Sequence, residues 1–410
     1  MDFAYSPKVE DLRSRLAEFM QNRVLPAEQV AAAYHDQHPE RWGAPPVMAE
    51  LKAEARRLGL WNLALPADSR GAGLTNLEYA PLAEITGWSP LIAPEALNCS
   101  SPDTGNMEIL SRFGTADQQH RWLEPLLEGE IRSIFSMTEP AVASSDANNV
   151  RLEISEDGDE WVLNGRKWWS TSALRPDCAV AMVMGVTDPD APVGRRHSLV
   201  LVPTGTPGMT VLRSTRVLGF EDRQEGGHGE IDFVDVRVPK DSLLGERGAG
   251  FSVAQARLGP GRIHHCMRLI GMGERAIAAM TARAHERVTW GAPLADQGVV
   301  QQYVADARVE LDAARLLVLR AAWRMDRDGN KEARHDIAAA KVKVPLTVKK
   351  VVDVAIQVHG AAGLSQDTML SVLYAQARFL QIADGPDEVH RETVAKMELA
   401  KYAATGANTR

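Results

Sequence analysis

The chain has 410 residues, 45% apolar and 24% charged, with 46 Lys+Arg against 54 Asp+Glu for a net charge of −8. That length suits two or three packed subdomains, and the mild acidity disfavours nucleic-acid binding because no basic excess exists to neutralise phosphates. Cys99, Cys178 and Cys266 lie far apart, which argues against a disulfide framework or a zinc site, and no apolar run approaches the roughly 20 residues that span a bilayer.

The N-terminal stretch MDFAYSPKVEDLRSRL carries acids early and no signal-peptide core. A cytoplasmic protein of bacterial type is expected; a processed mitochondrial matrix protein would read the same way. Residues 7–130 are helical in pattern. Val9, Leu12, Leu16 and Phe19 recur three or four apart as one apolar stripe, with Ser6-Pro7 as a start signal. The run PPVMAELKAEARRLGL repeats the logic and stops at Gly59, and DQQHRWLEPLLEGE stops near Gly129.

The texture changes after about residue 131. EWVLNGRKWWS reads as strand, turn, strand, with Asn164-Gly165 as the hairpin turn. CAVAMVMGV and SLVLVP read as buried strands, and Ile231, Phe233, Val236 and Val238 alternate around a bend. Helical periodicity returns near residue 248 and persists, with Pro345 expected to kink one long helix. The order helical, β-rich, helical implies a fold that is mainly α with a central β domain. Boundaries are expected at 1–132, 133–243 and 244–410.

Several motifs carry chemistry, each with a bland alternative. FSMTEPAVASSDANN offers Thr138, Ser144, Ser145 and backbone N–H groups to a cofactor, or is a Ser/Asn-rich connector. In NGRKWWSTSA, strand alternation would send one tryptophan to the core and the other against a planar ligand; ordinary aromatic packing reads equally well. LGPGRIHH sets Arg262 at a helix start after a Gly-Pro-Gly bend, where a guanidinium could hold a carboxyl, phosphate or thioester-bearing group. His228 in GHGE reads as structural, and the adjacent pair His264-His265 does not suit metal chelation, so no metal is expected. The small residues Gly360 to Gly363 allow close backbone or pyrophosphate approach but lack the strand-first context of a dinucleotide fingerprint. Asp384, on the Gly-Pro bend of QIADGPDEVH, is a reactive carboxylate or a turn acid.

MTEP…SSD, NGRKWW, GHGEIDFVDVRVP, RVTWG, QVHGAAG and QIADGP, collinear over essentially the whole chain, together resemble the acyl-CoA dehydrogenase family. The spellings NCSSPDTGNME and ADGPDEVH are most similar to its members ten and eleven, whose larger eukaryotic forms carry extra upstream domains. The resemblance implies an acyl-CoA dehydrogenase fold: an N-terminal helical domain, a middle β-barrel-like domain and a C-terminal four-helix bundle. It also implies FAD, an acyl-CoA substrate, an electron-transferring flavoprotein as acceptor and a homodimer or homotetramer. Carried over by motif, Phe135, Met137 and Thr138 line the flavin, Ser145 lies near flavin and substrate, and Trp169, Ser170 and Thr171 flank the ring. Arg287 and the stretch Gln357 to Ala361 meet FAD, Gly259, Arg262 and Gly385 lie on the substrate side, and Pro386, Asp387 and Glu388 lie by the flavin.

Asp384 then becomes the base, where many family members have glutamate; the other family position for a base holds Gly261. Ala141 departs from an acid common in relatives. Asn98, Ser100, Asp103, Thr104 and Asn106 stand where related enzymes have a more apolar helix, which suggests an oxygenated chain such as a 4-hydroxyacyl-CoA, or else caps and turns. Two other readings stay open: a nitroalkane-oxidase-like flavoprotein with an aspartate base, and a cofactor-free helical interaction protein.

Overall fold

The computed structural model describes residues 4–65 and 70–404. Eight helices precede the sheet among the described residues: α1 (Pro7–Phe19), α2 (Leu25–Gln37), α3 (Val47–Arg57), α4 (Asn76–Thr86), α5 (Ala93–Ala96), α6 (Asp103–Phe113), α7 (Ala116–Gln118) and α8 (Glu124–Leu127). The strands are β1 (Arg132–Ser136), β2 (Glu153–Asp157), β3 (Glu160–Thr171), β4 (Cys178–Val186), β5 (His197–Pro203), β6 (Met209–Thr215) and β7 (His228–Pro239). Then come α9 (Gly250–Glu286), the two-residue strands β8 (Val288–Thr289) and β9 (Ala292–Pro293), α10 (Gly298–Asp328), α11 (Arg334–His359), α12 (Ala361–Leu364), α13 (Leu370–Phe379) and α14 (Asp387–Ala404). The fold is mainly helical, 55%, with a curled sheet in mid-chain.

Two compact units account for the chain: Met1–Gln21, Leu74–Ala93 and Arg262–Arg410 form one; Asn22–Gly73 and Pro94–Gly261 form the other. In the first, α1 starts on a Ser6 cap that accepts from Val9 N–H and buries Val9, Leu12, Leu16 and Phe19, the stripe read from sequence. Thr75 and Glu78 make a reciprocal capping box on α4. The Asp326 carboxylate at the end of α10 accepts from the N–H groups of Asn76 and Leu77 at 2.9 and 2.8 Å, matching acid to the positive helix end. Glycines let α4 and α9 touch by backbone: a Cβ on Gly271 would lie 1.8 Å from Glu84 O.

The second unit is built on a seven-stranded sheet of order β1-β4-β2-β3-β7-β6, with β5 pairing β4. Strand β4 alternates as period 2 demands. Val180, Met182 and Met184 pack with Met107, Ile109 and Leu110 of α6, while Ala181 and Val183 pack with Val200, Val202 and Phe233. Burying each such large apolar side chain is worth about 1.5–3 kcal/mol.

Three expectations from sequence fail here. Asn164-Gly165 is not the hairpin turn: β3 runs through it, and β2 turns into β3 over Asp157–Glu160, with Gly158 at φ 57°. Gly165 (φ 147°) instead marks a bulge in the β3–β7 pairing, and the Asn164 carboxamide oxygen accepts from the Asp235 N–H. The two tryptophans do not follow simple alternation either. A second bulge lies between Lys167 and Ser170, Trp169 is at φ 53°, and both rings are half-buried, edge to face at 6.2 Å. Nor does a Gly-Pro-Gly bend start a helix at Arg262: Gly259, Pro260 and Gly261 lie inside α9, and Arg262 follows them within the same helix. Pro345, expected to kink a long helix, lies inside α11.

Candidate active site

The candidate residues fall into two clusters, one within each unit. The first gathers around the turn between α13 and α14. Asp384 sits at φ 57° and Gly385 at φ 103°, a left-handed pair that swings the chain sharply and is uncommon for a residue with a side chain. A Cβ on Gly385 would press His390 Nε2 at 3.0 Å. The turn is held through its carbonyls. Arg262 Nε donates to Asp384 O at 2.9 Å, His390 Nε2 reaches the same oxygen at 3.3 Å, and the fully buried Lys341 donates to Leu380 O. Lys341 Nζ also lies 3.5 Å from Gly385 O.

These donors engage the backbone and leave the Asp384 carboxylate for His265, whose Nε2 lies 3.4 Å from Oδ2. Arg268 Nη2 donates to His265 Nδ1 at 3.1 Å, which places the ring proton on Nε2, facing Asp384. Burial pushes His390 down to about 4, so its ring is neutral and Nε2 donates. Burial likewise lowers Lys341 and Arg262, with Asp384 pulling both back up. Cationic and neutral donors thus hold the turn by its carbonyls, and the Asp384 carboxylate, with 20% of its side chain exposed, faces His265. Asp387, at the first position of α14, is buried and accepts from Gln381 Nε2 at 3.0 Å, while Glu388 is exposed and Pro386 half-buried.

The second cluster lies along β1, the following loop and the end of β3. Phe135 is half-buried under the Arg257 guanidinium, 4.2 Å from its centroid. The Met137 carbonyl accepts from Lys167 Nζ at 2.9 Å, the Thr138 carbonyl accepts from Trp168 N–H at 3.0 Å, and the Ser136 and Ser170 hydroxyls bond at 2.9 Å. Buried Lys167 also pairs with Glu139 at 2.8 Å, and Glu139 accepts from Arg151 and Leu152 N–H, closing the loop that carries exposed Ser145. Burial pushes Lys167 down to about 8, against the pull of Glu139. At the end of β3, Thr171 Oγ1 bonds His228 Nδ1 at 3.0 Å.

Some sequence-derived residues join neither cluster. Arg287 is exposed just past α9, beside a β8–β9 hairpin whose turn residue Trp290 is 97% exposed. Gln357 and Ala361 are exposed on either side of the Gly360 cap of α11. Gly259 is buried within α9, in the second unit. Ala141 is exposed on the loop after Glu139. The polar set before α6 is mostly spent on protein partners. Asn98 donates to Asn62 Oδ1 and Leu126 O, Asp103 pairs with Arg132 at 2.7 Å, Ser100 accepts from Arg132, and Asn106 bonds Ser133 and Arg257. Thr104 is half-buried.

Sequence reasoning missed Lys341, His265, His390, Lys167 and Glu139. The spacing Arg262, His265, Arg268 puts three nitrogen-rich side chains at successive i+3 positions, a helix-face signal available without a structure.

FAD suits the second cluster. Trp168 Nε1 and Ser172 Oγ are buried without a hydrogen-bond partner, an uncommon state for polar atoms and one that a bound ligand relieves. Trp169 and Ser172, at φ 53° and 75°, bracket the same stretch with strained backbone of the kind that collects at binding sites.

The unsatisfied polar atoms at the end of β3 and the carboxylate held on the turn after α13 suit a flavin-dependent oxidoreductase. Family models for the N-terminal, middle and C-terminal domains of acyl-CoA dehydrogenases match residues 6–130, 134–236 and 248–399. The chain is 57% identical over 411 residues to "Probable acyl-CoA dehydrogenase FadE2" of Mycobacterium tuberculosis, covering 99% of both. It is 52% identical to acyl-CoA dehydrogenase family member 10 of Mus musculus, but spans only 37% of that protein's length. Butyryl-CoA dehydrogenase of Megasphaera elsdenii superposes with a TM-score of 0.82 at 25% identity, covering 97% of this chain and 100% of that one. The chain belongs to the acyl-CoA dehydrogenase family: it is a flavin-dependent oxidoreductase acting on acyl-CoA, with FAD as cofactor.

Proposed function

We propose that the chain catalyses α,β-dehydrogenation of an acyl-CoA thioester, with Asp384 as the base that removes the α-proton. The bound flavin supplies the acceptor for the hydride that leaves the β-carbon. The observation that carries this is the turn at 380–386, where Arg262, His390 and Lys341 all bind carbonyls and so aim one carboxylate by its backbone. Desolvation makes a carboxylate a stronger base than it is in water. Phe135, Met137, Thr138, Ser145, Trp169, Ser170 and Thr171 are the proposed flavin contacts, with Pro386, Asp387 and Glu388 beside it. Arg287, Gln357 and Ala361 would reach the flavin of a neighbouring subunit, and Gly259, Arg262 and Gly385 serve the substrate. A homodimer or homotetramer goes with this, since Trp290 is 97% exposed beside Arg287.

The finer calls belong to the same proposal. The domain boundaries 1–132, 133–243 and 244–410 are supported by the limits of the three family models. An electron-transferring flavoprotein is the proposed acceptor in a β-oxidation type of fatty-acid metabolism, in the cytoplasm. An oxygenated acyl chain is the proposed substrate refinement, and it rests on Thr104 more than on its bonded neighbours. Equal turnover of plain and 4-hydroxylated acyl-CoA of one length removes that refinement.

Anaerobic titration of the purified yellow protein tests the main reading. Acyl-CoA should bleach the flavin, and Asp384→Asn should slow bleaching about 10²–10⁴-fold with the flavin still bound. Bleaching by nitroalkanes instead, or an unimpaired variant, defeats it.

A further inference from the structure

We propose that Asp222, His228 and Thr171 form a hydrogen-bond relay in which His228 is a positioning residue: it fixes the direction of the Thr171 hydroxyl and so favours the reduced form of a flavin bound beside β3. This rests on the FAD reading of that cluster. Thr171 ends β3 and pairs across the ladder with His228, the first residue of β7. His228 Nδ1 lies 3.0 Å from Thr171 Oγ1, and His228 Nε2 lies 2.9 Å from Asp222 Oδ2. The His228 and Asp222 side chains are only 2% and 5% exposed, whereas Thr171 is half-buried and open to a ligand.

The ring has little freedom to turn. The His228 main chain is pinned on both sides, its backbone N–H donating to Ser214 Oγ at 3.1 Å and its backbone carbonyl accepting from Thr215 Oγ1 at 2.9 Å, and the Trp169 indole packs 5.5 Å from the ring. The approach is built by a left-handed Asp222, at φ 49°, and by Gly226 and Gly227, at φ 80° and 64°.

The chemistry of the donors sets the direction. A carboxylate only accepts, so Nε2 carries the proton. With a single ring proton, held on Nε2, Nδ1 offers a lone pair to which the Thr171 hydroxyl donates. Oγ1 is left with lone pairs toward the ligand. A flavin gains ring N–H donors on reduction, so an acceptor placed there binds the reduced form more tightly than the oxidised form. Acid, imidazole and hydroxyl in this sequence resemble the ordering used in hydrolase triads, here without a nucleophilic step.

The test is the flavin midpoint potential of the full-length holoprotein, read by dye-coupled reductive titration at fixed pH. Thr171→Val should weaken the preference for the reduced form about tenfold, which for a two-electron couple is a fall of about 30 mV. Thr171→Ser should restore the wild-type potential. His228→Gln should lower the potential in the wild-type background and add nothing in Thr171→Val. Additive shifts would show that His228 acts elsewhere, and a rise in potential would mean that the hydroxyl donates to the flavin; either overturns the relay. Should His228→Gln fail to fold, an unchanged potential in Thr171→Val overturns it alone. Wild-type protein that purifies colourless and takes up no FAD defeats the cofactor reading itself, an outcome separate from a flavin that binds with unmoved potential.

Discussion

Asp384 is aimed by its main chain. A left-handed non-glycine residue costs of order 1–3 kcal/mol, and it persists only where its surroundings over-determine it. Here those surroundings are Arg262, His390 and Lys341, each bonded to a carbonyl of the turn. Lys341→Met should therefore act on the reaction more than on binding. Turnover should fall about 10²-fold, the loss that an error near 1 Å brings, while KM for acyl-CoA stays within a few-fold; stopped-flow flavin reduction measures both. Asp384 and Arg262 were legible in the sequence because each stands in a recognisable motif. Lys341 was not: it lies on a helix whose buried positions are mostly apolar, and it meets the turn 39 residues later. Only folding shows that a buried ammonium there has carbonyls to bind.

At the scale of elements, the loop and helix set around β1 is tied by buried charge. Glu95 of α5 pairs with Arg175 at 2.9 Å and Lys52 of α3 at 3.1 Å. Burial alone would raise its carboxyl, but Arg132, Arg175 and Lys52 outweigh that and hold it at about 2. Its folded pKa is thus depressed. The stability it lends is present above about pH 4.5 and is lost as pH falls toward 2. Glu95→Gln should destabilise the protein by about 3–5 kcal/mol at neutral pH, since it removes the buried carboxylate that Arg175 and Lys52 share, and the gap to wild type should narrow below pH 4.5 in urea titrations. Element types were readable from periodicity; the register of β3 was not. Asn-Gly favours tight turns, yet at Asn164-Gly165 the long pairing of β3 with β7 overrides local preference and absorbs the dipeptide as a bulge. Gly259-Pro260-Gly261 fails for a similar reason, as tertiary packing carries α9 through weak helix formers.

For the whole molecule, stability and cofactor are linked. FAD binds the native state, so removing it should lower the melting temperature, and adding it back at 100 times its Kd should restore about 2.7 kcal/mol; calorimetry of apo- and holoprotein reads this. Gly271→Ala should cost about 3 kcal/mol or more in urea unfolding. Its Cβ would meet the backbone oxygen of Glu84 rather than a side chain that can move aside.

By itself the sequence determined the helical, β-rich, helical order, the apolar stripes and the family, because periodicity and collinear motifs are local or order-based signals. It also picked out the acid on the Gly-Pro bend. Tertiary structure alone decided the register of β3, the passage of α9 through its glycines, and the partners of Asp384, Lys167 and Thr171. Those depend on contacts between residues tens to more than a hundred positions apart, such as the 122 between Arg262 and Asp384, and no local pattern encodes which polar atom will meet which.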